Sequence, residues 1–289
     1  AIWAQGQSPR GQCRGQDLGN GDGRTVRLIL VRMAKRKRAA GDAAVPKKRV
    51  RVLGDGAGAG AEAVQLPPFP EGFSREAPKG EDLGALLQLE FRGRVHLVNG
   101  SNEGDVDWPR LETAEVLGVD TETKPVFQKG CAPNPPALLQ LATEDECWVF
   151  QLLSPVGVSS GTLGRLQSIL ESPSVVKAGV GVHEDYRDLC QHHLGSMSAA
   201  SGVLDLQDVV RPYGLRSTGL RALVALFLGR RLAKAQQTSN WGSAQLSQAQ
   251  LWYAALDAWA GWRLHEVMRQ LFQGSEVWAP AQDIAIGTD

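Results

Sequence analysis

Apolar residues recur along this chain with two different periods, and the change of period divides the part that can fold. Between residues 91 and 152 the apolar runs are short and strand-like. Phe91-Arg92-Gly93-Arg94-Val95-His96-Leu97-Val98 contains an alternating pattern, and the turn residues Asn99-Gly100-Ser101-Asn102 follow it. Val116–Asp120, Ala137–Ala142 and Cys147–Leu152 are further strand candidates, the last two flanking the polar turn Thr143–Glu146. A consecutive run of strands implies a sheet with antiparallel pairing in its first half. From Gly161 the period lengthens: Leu163, Leu166, Ile169 and Leu170 repeat at helical spacing until Ser172-Pro173 ends the helix. Val175–Val180 then predicts a short buried strand and His183–His193 a helix. Residues 203–210 predict a strand or turn ending at Pro212, and Leu220–Leu228 an apolar helix closed by Gly229. Strands alternating with helices in this half argue for an α/β fold with helices packed on the sheet.

The chain before these patterns is different in kind. Up to about Pro70 it is biased toward Gly, Ala, Arg and Pro, so ordered structure is expected only from near Leu83. Residues 1–64 carry 13 Lys and Arg against 5 Asp and Glu, leaving 18 against 26 for the rest; the zero net charge of the whole hides a basic tail on an acidic body. Such asymmetry points to a tail with its own partner. Lys35-Arg36-Lys37-Arg38 and, after Pro46, Lys47-Lys48-Arg49 resemble a paired nuclear localisation signal, which implies a nuclear import receptor and a nuclear location. The bland alternative is a solvated tail with no specific partner. The chain opens on Ala1 and its first methionine is Met33, as expected of a fragment, a processed chain or an upstream-extended translation. If residues 1–32 are translated, their Arg-rich, acid-poor character mimics a mitochondrial presequence. Cys13, Cys131, Cys147 and Cys190 are scattered without a C-x-x-C pair, which suits a reducing compartment better than a disulfide framework. No apolar run approaches the roughly 20 residues that span a bilayer, so no membrane is implied.

Candidate chemistry is concentrated in acids. The run Val116–Val119 ends in Asp120 and Glu122, which as i and i+2 on a strand project from one face. Like charges that close repel, and a cation between them relieves the repulsion; an ordinary polar strand end is the alternative. Asp185 follows the strand 175–180 at a strand-to-helix junction, where open α/β sheets gather ligands, with Glu184 and Asp188 as competitors. Ser247 with Gln250 forms a capping-box pattern that opens a helix, and on that helix Tyr253 and Asp257 share a face as i and i+4. A buried tyrosine satisfied by a neighbouring acid is the structural alternative for that pair. His183, His192, His193 and Cys190 lack zinc spacing.

Asp-x-Glu, a later Asp and Tyr-x-x-x-Asp, in that order, resemble the DEDD superfamily of 3′→5′ exonucleases, in the branch where a tyrosine precedes the last acid. Gly118-Val119-Asp120-Thr121-Glu122, Leu138–Leu141, Lys177-Ala178-Gly179-Val180-Gly181, Ser239-Asn240-Trp241 and Tyr253–Ala258 carry the resemblance, over roughly residues 86–272. Trp252 occupies the position at which the histidine branch has its histidine. The resemblance implies a ribonuclease H-like mixed sheet flanked by helices, spanning residues 84–273 between a tail at 1–83 and a second at 274–289. It implies a two-metal phosphoryl site holding Mg²⁺ or Mn²⁺, because all the ligands are oxygen. Asp120 would bridge the two ions, Glu122 and Asp257 would hold the first with it, Asp185 would support the second through water, and Tyr253 would orient the attacking water. Thr123 departs from the bulky residue that often follows the Glu, a departure that bears on substrate contact. Arg216, Arg221, Arg230, Arg231 and Lys234 are candidates to grip a phosphate backbone, with a solvated helix rim as the alternative. Trp252, Trp259 and Trp262 could stack bases, though such a stripe is more often core. The implied partner is nucleic acid with a free 3′ end, DNA before RNA, and the implied activity is release of nucleoside monophosphates. The alternatives are an exoribonuclease and a catalytically idle binding module. No phosphate-binding loop ending in Gly-Lys-Ser/Thr occurs in this sequence, so any unwinding is expected to come from elsewhere, such as a separate helicase.

Overall fold

The computed structural model describes residues 68–272 other than 129, 154 and 196–198, and in addition Trp278, Ile284 and Ala285. All of these lie in one compact unit, Lys47–Asp289. Both basic clusters, at 35–38 and 47–49, fall outside the described residues.

In chain order the elements are α1 (Gly80–Gly84), β1 (Arg94–Val98), α2 (Trp108–Glu112), β2 (Val116–Thr123), β3 (Pro136–Ala142), β4 (Glu146–Gln151), α3 (Ser160–Glu171), β5 (Val176–Gly179) and α4 (Val182–His192). There follow β6 (Ala199–Ala200), β7 (Val203–Asp205), α5 (Leu206–Val210), α6 (Leu220–Leu223), α7 (Gln248–Phe272) and β8 (Ile284–Ala285). Six strands form a mixed sheet in the order β1-β4-β3-β2-β5-β7, and β6 pairs with β8 separately. β2 runs antiparallel to β3 and parallel to β5, and β3 runs antiparallel to β4. This is the ribonuclease H-like mixed sheet flanked by helices.

Several expectations need correction. β1 is a parallel neighbour of β4 at the sheet edge, so within the six-stranded sheet antiparallel pairing is confined to β2, β3 and β4. The strand expected at 91–98 starts only at Arg94, because the chain turns at Gly93, where a Cβ would meet the Asp145 carbonyl oxygen at 2.1 Å. The strand expected over 203–210 stops at Asp205, whose carboxylate accepts from the Gln207 amide and opens α5. An Asp N-cap is a helix start, and it overrides the β-branched residues that follow. The helix expected over Leu220–Leu228 exists but loosens into a wider π turn over Val224–Leu228 before Gly229, in left-handed conformation, closes it.

The two sheet faces are covered differently. On one, Leu117, Val119, Leu139, Leu141, Trp148 and Phe150 pack under α2, α3 and α4 through Leu111, Leu166, Ile169 and Leu189. On the other, Leu138, Ala142, Cys147 and Val149 meet Ala254, Ala255 and Ala258 of α7. Small residues on both sides let α7 lie against the strands. A Cβ on Gly118 would sit 2.1 Å from the Ala258 carbonyl oxygen, so any larger residue would lever α7 off β2. The second half of α7 packs with α5 and α6 in a further cluster, which Phe69 joins at 5.4 Å from Tyr213 and Phe73 at 5.3 Å from Phe227. Packed chain therefore begins before Leu83. No helix among the described residues is long and apolar enough to cross a membrane.

Candidate active site

The close packing of α7 on β2 determines what happens at the end of that strand. Gly118, Asp120 and Glu122 alternate onto the α7 face, and Tyr253 and Asp257 lie on the first turns of the helix above. The Asp120, Glu122 and Asp257 carboxylates each offer an oxygen within 4.8 Å of the others. The capping box forms as expected: the Gln250 amide donates to Ser247 Oγ at 3.2 Å and the Ser247 amide to Gln250 Oε1 at 2.9 Å, fixing where α7 starts.

Asp185 arrives from the opposite face. It sits in the first turn of α4, which opens at Gly181 with a φ of 84°. Thr121, between the two acids of β2, points to that face, and its Oγ1 donates to Asp185 Oδ1 at 2.5 Å. Of the three acids considered in that turn, Glu184 is exposed, and Asp185 is the one Thr121 holds. Sequence reasoning missed Thr121; its placement between two acids of a strand was the available signal.

The electrostatics are those of acids crowded together. Burial, and then the charges of Asp185, Asp257 and Glu122, push Asp120 well above the usual carboxylate range. Burial with Asp257 and Asp185 takes Glu122 to about 9. Burial takes Asp185 to about 7, against the pull of Thr121, and Asp257 to about 7, against the Tyr253 hydroxyl and the positive charge of Arg221. Tyr253 is itself raised, by burial and then by Asp257 and Glu122. Acids that resist ionisation because they face one another are relieved by a cation. Oxygen-only donors at this spacing fit a hard divalent ion. Trp241, buried, stacks obliquely on Tyr253 with ring centroids 6.0 Å apart.

The basic residues expected to grip phosphate have partners within the protein. Arg216 pairs with Glu76 at 3.0 Å, Arg221 donates to the Leu232 carbonyl at 3.0 Å, Arg230 to the Gly229 carbonyl at 3.3 Å and Arg231 to the Leu86 carbonyl at 3.0 Å. Lys234 is exposed. Only Arg221 among them acts on the acid cluster, through Asp257. Trp259 donates to the Glu144 carbonyl at 2.9 Å, and Trp252 is the partly exposed member of its stripe, at 38%. His183 faces Asp205 and Asp208 rather than His192, His193 or Cys190, and Cys147 and Cys190 are buried free thiols.

A ribonuclease H-like sheet whose central strand and two flanking helices bring together acids and a tyrosine defines a nuclease-type site. The chain belongs to the 3′-5′ exonuclease family: the model described as 3′-5′ exonuclease matches residues 108–273, more than half of its length. It is 33% identical over 178 residues to the exonuclease mut-7 homolog of Homo sapiens, covering 55% of this chain and 20% of that protein. It is 28% identical over 174 residues to the bifunctional 3′-5′ exonuclease/ATP-dependent helicase WRN of Mus musculus, covering 59% of this chain and 12% of that one. Among solved structures, the Nibbler EXO domain of Aedes aegypti superposes with a TM-score of 0.54 at 28% identity, covering 64% of this chain and 91% of the domain. The chain thus spans a small fraction of these curated relatives and nearly all of that isolated domain.

Proposed function

We propose that this chain removes nucleotides from the 3′ end of a polynucleotide by hydrolysis, with two divalent ions, Mg²⁺ or Mn²⁺, held by its acids. The observation that carries this reading is the set of three carboxylates within 4.8 Å of one another, each pushed up in pKa first by burial and, at Asp120 and Glu122, also by the neighbouring acids. Asp120 would be the ligand shared by both ions. Glu122 and Asp257 would hold one with it, and Asp185, held by Thr121, would support the other. Bound ions supply charge that stabilises the attacking and leaving oxygens of an in-line displacement. Tyr253, beside Asp257 and backed by Trp241, orients the water. Water oxygen bonds to phosphorus, the bond to the 3′ oxygen of the shortened strand breaks, and that oxygen takes a proton, releasing a nucleoside monophosphate.

Motif resemblance to the helicase-linked exonuclease supports DNA as the polymer, with any unwinding left to a separate helicase; RNA is the alternative. Matched 5′-labelled DNA and RNA oligonucleotides, incubated with Mg²⁺ or Mn²⁺, decide both questions. Stepwise shortening of DNA that Asp120→Ala abolishes is expected. Faster shortening of RNA reassigns the polymer, and binding without shortening of either leaves an idle binding module. The basic clusters at 35–38 and 47–49 support nuclear import through a receptor, and the Arg-rich residues 1–32, if translated, a mitochondrial route. A fluorescent fusion starting at Met33 is expected in the nucleus, and a cytoplasmic or mitochondrial signal overturns that assignment.

A further inference from the structure

Strand β3 is buried along its whole length, and its inward run Ala137–Ala142 is apolar except at Gln140. Gln140 is completely buried, yet neither its Nε2 nor its Oε1 has a hydrogen-bond partner. A buried polar atom left without a partner forfeits its hydration and gains nothing in return. A leucine at this position would avoid that cost, so the amide calls for a partner.

Its position names that partner. In the antiparallel register Gln140 lies directly opposite Asp120, so the two side chains stand on the same face with Cβ atoms roughly 5 Å apart. Leu138 and Ala142, on the same face of β3, pack against Ala254, Ala255 and Ala258 of α7, and that roof excludes bulk water from the space between them. On its other side Gln140 is opposite Val149, which is apolar and buried. Asp120 is thus the ionisable group that the register puts beside the amide, and a carboxylate is an acceptor for two N–H donors.

We infer that Gln140 is a positioning residue for Asp120, its Nε2 donating directly or through one buried water to the Asp120 carboxylate and fixing the rotamer in which that carboxylate receives the ions. The role rests on the metal-holding reading of Asp120. It adds to that reading an uncharged group which orients a ligand without joining the donor set, the kind of contact whose loss costs about 10–100-fold in metal affinity. It also accounts for Leu138–Leu141 as a motif: three of its residues are core, and the fourth serves the site.

The test measures Mn²⁺ binding to the full chain by electron paramagnetic resonance, with no polynucleotide present. Wild type is expected to bind and Asp120→Ala to lose binding. Gln140→Leu, close in volume but without polar atoms, is expected to bind Mn²⁺ about 10–100-fold more weakly while melting at the same temperature or higher in the absence of metal. A purely structural glutamine would give the opposite pattern, lowered melting and unchanged affinity, and that result overturns the inference alone. Absence of binding in wild type overturns the metal reading and the inference together. If Gln140→Leu does not fold, glutamine-labelled wild type serves instead: the Gln140 side-chain amide resonance, assigned by its loss in Gln140→Met, is expected to shift on addition of Mg²⁺. An unmoved resonance overturns the inference.

Discussion

Two groups of ionisable side chains among the described residues have the spacing to hold an ion, and they differ in what surrounds them. Asp120, Glu122 and Asp257 form one; His183, Asp205 and Asp208 form the other, again with oxygens and a nitrogen within 4.8 Å of one another. The second group is internally satisfied. His183 Nε2 bonds Asp208 Oδ2 at 2.8 Å, Arg211 adds a second cation to Asp208, and Asp205 Oδ1 accepts from the Gly181 and Gln207 amides at 3.1 and 2.9 Å. The first group consists of buried carboxylates, two of which, Asp120 and Glu122, are raised further by neighbouring acids, with the Tyr253 hydroxyl and the charge of Arg221 on Asp257 as partial relief. Spacing alone therefore does not mark a metal site. Unrelieved repulsion does, because a folded chain keeps it only where something outside the chain relieves it.

The largest effect that breaks or upholds this contrast is on activity. Asp120→Asn removes the proposed shared ligand while keeping its volume, and is expected to lower the rate of 3′-end shortening about a thousandfold or more, equivalent to several kcal/mol of lost charge stabilisation. Asp208→Asn is expected to leave that rate within about threefold, since its partners are His183 and Arg211. Comparable losses in the two variants would mean that both groups serve catalysis.

The next effect is on stability. A ligand at about 100 times its dissociation constant stabilises the native state by roughly 2.7 kcal/mol, so saturating Mn²⁺ is expected to raise the melting temperature by about 5–10 °C. Asp120→Asn should abolish the rise and His183→Ala should not. The reverse outcome would move the ion to the second group. The metal-free protein adds a dependence on pH whose sign follows from the raised acids. Asp185 and Asp257 titrate at about 7 and Glu122 at about 9 in the native state, whereas unfolded carboxylates titrate near pH 4. Between those values the native state binds more protons than the unfolded one, so stability falls as pH rises from about 4 toward 9. Calorimetric melts across that range are expected to show the fall, and Asp257→Asn to make it shallower.

The first group was legible in the sequence because each member lies in a local pattern: Asp120 and Glu122 end an apolar strand, and Tyr253 and Asp257 follow a capping box. Strand periodicity likewise gave β3 and β4 to within about a residue and the start of β2, which runs on three residues past the expected end at Asp120. What escaped is what only the folded chain brings together. Thr121 reads as a polar residue in a strand until α4 crosses behind it. Gln140 reads as an interruption of an apolar run until the register sets it opposite Asp120. The parallel seat of β1 beside β4 depends on a long return connection that no local signal encodes, and α5 was masked by Val209 and Val210, whose strand preference the Asp205 cap overrides. The arginines are a related case: sequence names the guanidinium groups of Arg221, Arg230 and Arg231, but only the fold shows the carbonyls at 232, 229 and 86 to which one N–H of each donates.

The smallest effect separates the members of the second group from each other. Asp205 is almost fully buried and accepts from two backbone amides, one opening α5 and one at Gly181, the residue from which α4 and Asp185 depart. Asp205→Ala removes the oxygen that accepts both bonds and is expected to cost about 1–2 kcal/mol in denaturant unfolding. Asp205→Asn retains the accepting oxygen and discards a charge that burial disfavours, so it should cost less than half as much. Asp208 is half exposed, and pairs of that kind contribute at most about 1 kcal/mol, so Asp208→Asn should fall below either alanine-scale loss. If Asp208→Asn proved the most costly of the three, the ion pair with His183 and Arg211, and not the backbone caps, would be what holds this corner together. The second group would then share with the first a dependence on charge that its hydrogen bonds had concealed.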